Sequence, residues 1–225
     1  LSVLAEQDKY RRQMEAEPVR FRLDMVQHNT GEPRYESAYN DPAFLRGLGY
    51  TGKVFSLHDS PQLAIDWQVV DPEVFAEASE GRDWVDRLAA SLDDQYRRTK
   101  DAGLDVYAVA DLMVFPRALV DRNGMQETYR DPRHPKTVEY LRLEIQQMFS
   151  RFPDLDGLVV WLGEADLADA PYHVGGIRQP ANPAETIVPL VELLRQEICV
   201  QLGKTVIVRT WLGFDVNADD YIEIG

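Results

Sequence analysis

Six places along this chain carry side chains able to do acid–base chemistry or hold a polar ligand, and five of them close a short apolar run. Phe21–Val26 leads into His28-Asn29, and Val54–Leu57 into His58-Asp59. Val106–Ala110 ends at Asp111, Leu158–Leu162 at Gly163-Glu164, and Val206–Val208 at Arg209-Thr210-Trp211. The sixth, His173, lies in a glycine-rich stretch shortly after Glu164. A carboxyl group placed directly after a buried strand and beside Trp161 has a raised pKa and can serve as a general acid, so Glu164 is the leading catalytic candidate. A strand-end glutamate can equally cap a helix or pair with an arginine. Asp111 suits a partner role, orienting hydroxyls, assisting Glu164 or binding a cation; an ion pair at the strand end is the plainer alternative. His28, Asn29, His58, Asp59 and His173 are candidates for hydrogen bonds to a polyhydroxylated ligand. Arg209 and Trp211 pair a fork-shaped cation with a flat apolar face, and Trp161 offers a second such face. Arg209 could also neutralise Glu164. Asp215 and Asp219-Asp220 read as solvated or helix-starting residues.

Such groups cooperate only if the backbone brings them to one place. Amphipathic stretches separate the apolar runs. Gly81–Ala102 repeats apolar residues near a 3.6 period through Trp84, Val85, Leu88, Ala89, Leu92 and Tyr96, with Gly103 as its stop. Thr137–Phe152 does so through Tyr140, Leu141, Ile145, Met148 and Phe149, and Ala184–Leu202 is a third helix. A short helix is expected over Ala43–Leu48. Strands are expected near 20–26, 53–58, 104–110, 156–162 and 205–210, with Tyr221–Ile224 a sixth strand or a turn of helix. Strand–helix alternation with reactive residues after the strands is the pattern of a (β/α)8 TIM barrel, whose active site gathers at the C-terminal ends of parallel strands. Strand spacing of roughly 50 residues lets 225 residues supply five or six units. The expectation is an α/β chain with a helical segment over 1–18 and a partial barrel over 19–225, stopping before closure.

Composition narrows the partners. A net charge of −14 argues against nucleic acid or an anionic membrane surface, because phosphate binding needs a basic face. No apolar run approaches the roughly 18 residues of a membrane span. One cysteine, Cys199, rules out an intrachain disulfide framework and a cysteine-based zinc site; its helical, apolar setting predicts a buried structural thiol. The compartment stays open, a periplasmic or secreted location being slightly favoured over a cytoplasmic one. There is no phosphate-binding glycine loop with its lysine, no dinucleotide fingerprint and no nucleophile elbow, so no cofactor is expected. A metal site built from His28, Asp59, Asp111, Glu164 and His173 has the right ligand types but no tight spacing.

The stretch Phe152-Pro-Asp-Leu-Asp-Gly-Leu-Val-Val-Trp-Leu-Gly-Glu-Ala, the stretch Lys204-Thr-Val-Ile-Val-Arg-Thr-Trp and the stretch Met25-Val-Gln-His-Asn-Thr-Gly-Glu-Pro together resemble bacterial glycoside hydrolase-type barrels of the α-glucuronidase and β-hexosaminidase-like group. The resemblance implies a TIM barrel acting on oligo- or polysaccharide, with the glutamate after the fourth strand, here Glu164, as acid/base. The Asp-Glu pair of the hexosaminidases is absent, since Gly163 precedes Glu164, which speaks against substrate-assisted cleavage of N-acetyl sugars. The rival functions are a metal-dependent sugar isomerase or aldolase barrel and a non-catalytic carbohydrate-binding barrel.

Overall fold

The computed structural model describes residues 12, 20–25, 37–56, 60–161, 170–175 and 183–209. Five strands form one sheet: β1 (Leu23–Met25), β2 (Gly52–Phe55), β3 (Asp105–Asp111), β5 (Gly157–Trp161) and β7 (Thr205–Val208). Two more, β4 (Val114–Pro116) and β6 (His173–Gly175), pair apart from it. All neighbours in the large sheet are parallel, and the spatial order follows the order along the chain, with no switch point. That arrangement matches the strands and pairing expected from sequence. The first and last strands lie at opposite edges, and no closed barrel is formed among the described residues. The architecture shown is therefore α/β with a five-stranded parallel sheet.

The connections return as helices: α1 (Pro42–Gly47), α2 (Glu80–Asp101), α3 (Arg117–Arg122), α4 (Pro135–Arg151) and α5 (Pro183–Leu194). Helix α2 starts where Ser79 accepts a hydrogen bond from the Arg82 N–H at 3.1 Å, with Glu80 and Asp83 in the first turn and Arg98 and Lys100 in the last. Cap and charges both suit the helix dipole. Gly103 takes a φ of 78° just beyond its end, the left-handed conformation that stops a helix. In α4, Pro135 occupies the first turn, where a missing N–H costs nothing. Helix α5 widens into a π-helical stretch over Arg195–Gln201. No described helix is long and apolar enough to cross a membrane.

Because side chains alternate along a strand, the sheet has two distinct faces. One carries Phe55, Val106, Ala108, Ala110, Leu158 and Val160, which join Val85, Leu92 and Tyr96 of α2, Leu141, Ile145 and Met148 of α4, and Ile187, Leu190 and Leu194 of α5 in the main core. The other carries Val54, Tyr107, Val109, Val159 and Trp161, with Leu23 and Ile207 packed alongside, a cluster built from strands alone. Its N-terminal end is filled by the Tyr107 ring. Gly52 on β2 and Gly157 on β5 leave room for it: a Cβ would meet the ring at 3.0 and 2.9 Å respectively. Asp156 staples the same end, accepting from the Val106 N–H and from Lys100 Nζ, each at 2.8 Å.

The segments around Pro116 and His173 contain β4 and β6, which pair antiparallel as a separate small sheet. Residues 60–79 include a buried 3-10 turn at Pro61–Ala64. One expectation is corrected. Cys199 is exposed: the end of the α5 segment turns Leu194, Glu197 and Ile198 inward, and Cys199, one residue on, faces away. The expected helix over 1–18 and the sixth element at Tyr221–Ile224 lie outside the described residues, Arg12 excepted.

Candidate active site

Asp111 is the last residue of β3, two positions beyond Val109, and so shares the face of Tyr107 and Val109. Its register partner on β5 is Trp161. Arg209 follows β7 directly and stands two positions beyond Ile207; its N–H donates to the Val160 carbonyl at 3.0 Å, extending the ladder by one step. Three adjacent strands thus place a carboxylate, an indole and a guanidinium in a row at the C-terminal edge of one face. The Arg209 guanidinium carbon lies 4.5 Å from the centre of the Trp161 ring, a cation–π contact that fixes the orientation of both. Asp111 is fully buried and Trp161 nearly so.

The remaining candidates on strand ends fall outside the described residues: His28, Asn29, His58, Asp59, Glu164 and Trp211. In sequence, His28, His58, Glu164 and Trp211 each stand three positions after the last residue of β1, β2, β5 and β7 respectively.

His173 has a different setting from the one its loop suggested. The side chain is wholly buried, with ring centres of Phe75 and Trp84 each 5.9 Å away. Its Nδ1 donates to the Pro171 carbonyl at 2.7 Å, which leaves Nε2 as the unprotonated nitrogen. Burial lowers its pKa to about 4, only partly offset by that hydrogen bond, so the ring is neutral near pH 7. The side chain packs among Phe75 and Trp84 beside the small sheet. The small sheet links the segment after β3 to the segment after β5, because β4 follows Asp111 by three residues and β6 follows β5 in the chain. Between Asp111 and β4, Met113 adopts a φ of 61°, a left-handed conformation rare for a non-glycine residue.

Glu144 is a residue that sequence reasoning missed. It projects from the middle of α4, fully buried, and neither carboxyl oxygen has a hydrogen-bond partner among the described residues. Burial first, and the negative charge of Asp111 second, push its carboxyl well above the ordinary range. Burying a neutral acid costs far less than burying a carboxylate, so the proton is held. A signal was present: Glu144 sits four residues after Tyr140 and four before Met148, on the apolar stripe of α4. The same helix shows the usual solution nearby, where the buried Glu197 carboxylate accepts from Arg142 Nε at 3.1 Å. Asp111 and Glu144 are therefore close enough to influence each other electrostatically, and the described residues contain no cluster of three or more metal-ligating side chains.

No family model matches the chain, and no curated protein matches it. Among solved structures it is similar to a GH138 enzyme targeting pectin rhamnogalacturonan II, with 17% sequence identity and a TM-score of 0.45. The alignment covers 83% of this chain and 20% of that one, so the chain spans about a fifth of that protein.

Proposed function

We propose that the chain forms part of the catalytic domain of a glycoside hydrolase acting on oligo- or polysaccharide. The observation that carries this reading is the row Asp111–Trp161–Arg209 on three adjacent parallel strands: an acceptor, an apolar ring and a donor fork at one edge, the mix of groups a sugar's alternating C–H faces and hydroxyls require. Glu164, three residues beyond Trp161, is the general acid that protonates the glycosidic oxygen as the bond lengthens toward an oxocarbenium-like state. Asp111 is the second carboxylate, as nucleophile or as base for water; roughly 5 Å between the two implies retention and roughly 6.5–9.5 Å inversion. Arg209 holds substrate through its guanidinium, which Trp161 orients. The buried acid Glu144 contributes no negative charge of its own beside Asp111.

The test is release of reducing ends from a polysaccharide panel by the full-length protein. Asp111→Asn should lower turnover by about 10²-fold or more with the fold intact, since the amide keeps the shape and removes the base. Undiminished turnover in Asp111→Asn removes this residue from the mechanism.

A further inference from the structure

Outside the strand ends, a groove of about 640 Å³ opens between the start of α2, the start of α3 and the segment before β6. Its size falls within the range of small-ligand sites. Val74, Phe75 and Gly81 form the apolar floor, and Arg117, Glu80 and Asp121 stand along the rim. Tyr172 closes one side, 42% exposed although it is a large ring.

That exposure is built in. Tyr172 holds a φ of 64°, and its carbonyl accepts from the Arg117 N–H at 2.8 Å, so the backbone that presents the ring is locked to the start of α3. Behind it, the ring centre of Trp84 lies 6.1 Å away, and the buried His173 anchors the next residue. Gly81 clears the space beneath: a Cβ there would come within 3.5 Å of the Tyr172 ring and 3.1 Å of Phe75. A strained backbone that holds an aromatic ring outward is a costly arrangement for a residue with no task. The Arg117 side chain forms no ion pair or hydrogen bond among the described residues, and nor does that of Glu80, so both rim groups are available to a ligand.

The groove also lies on the side of the site. A helix that returns between parallel strands starts beyond their C-terminal ends, so the first turn of α2 shares the edge that carries Asp111 and Arg209. The small sheet links the two places directly, since β4 leads from Asp111 toward Arg117 and β6 starts next to Tyr172.

We propose that this groove is a neutral-carbohydrate subsite, in which one sugar ring rests on Tyr172 and its hydroxyls bond Arg117, Glu80 and Asp121. An exposed phenol offers a flat apolar face, and the rim supplies both donors and acceptors, as hydroxyls require. Two carboxylates against one guanidinium, on a chain of net charge −14, disfavour a uronate at this point. The subsite rests on the glycan-acting reading above and extends it to a chain several sugars long.

The experiment measures affinity of the full-length protein for arrayed cello-, xylo-, manno- and malto-oligosaccharides and for oligogalacturonate. Wild type should bind at least one neutral series. Tyr172→Ala and Arg117→Ala should each weaken that binding by about tenfold, Tyr172→Trp should retain it, and Arg209→Ala should leave a measurable residue held by the groove. Arg117 is on the surface, so its variant reads binding even where Tyr172→Ala unfolds. If Tyr172→Ala and Arg117→Ala bind like wild type while Arg209→Ala abolishes binding, the groove falls and the glycan-acting reading stands. Binding confined to oligogalacturonate overturns the neutral class, and no binding to any series overturns both.

Discussion

The two faces of the sheet are made from alternate residues of the same strands, yet they serve different ends. On the covered face, Ala108, Ala110, Leu158 and Val160 disappear beneath three helices into a core that runs to Leu194 and Met148. On the other face, Val54, Tyr107, Val109 and Val159 form a much smaller cluster, which passes upward into Asp111, Trp161 and Arg209. Stability is concentrated on the first face, and the second is left free to carry polar groups that a core would not tolerate. A parallel sheet permits this division because one-residue alternation separates the two sets completely.

Neighbouring valines on β5 test that division most sharply. Val160→Ala should cost about 2.5 kcal/mol and Val159→Ala about 1.5 kcal/mol or less, because the same two methyl groups leave a cavity in the larger core on one face only. Urea unfolding midpoints of the two variants give the comparison. Equal losses, or a larger one for Val159→Ala, would show that the second face is as deeply packed as the first.

A smaller effect is expected where the covered face meets the site, at Glu144. The folded protein holds the Glu144 proton more tightly than the unfolded chain does. Below the ordinary carboxylate range both states are protonated and nothing changes. Above it the unfolded chain releases the proton first, so wild-type stability falls as pH rises from about 4.5 toward the raised value. Glu144→Gln mimics the neutral acid and removes that slope, gaining on wild type as pH rises through the window. Unfolding midpoints measured from roughly pH 4 to roughly pH 8, the span of carboxylate and histidine titration, give the readout. Parallel pH profiles would mean that Glu144 is solvated or paired.

Most of this architecture is legible in residue patterns, for physical reasons that also explain the gaps. Val106–Ala110 and Leu158–Trp161 are apolar on both faces, as strands buried on both sides must be, and Asp111 marks the end of β3. Helix α2 is legible from its period and its glycine stop. The small sheet is not, because β4 and β6 are three residues each and owe their pairing to the turn at Met113, a tertiary effect with no local signature. Cys199 reads as buried because its neighbours are apolar, but Ile198 takes the inward position and the π-helical turn sets where the stripe falls. Glu144 escapes notice because a charged residue is expected to leave the stripe it occupies. The row Asp111, Trp161 and Arg209 is foreseeable from strand ends; the stacking of Arg209 on the Trp161 ring needs the register.

The proposed role of Glu164 as general acid is the central claim, and leaving-group dependence measures it. In the full-length protein, Glu164→Gln should lower turnover of glycosides with ordinary alcohol leaving groups by about 10²-fold or more, and spare substrates whose leaving groups are acidic enough to depart without a proton. Equal loss on both kinds of substrate would contradict the assignment.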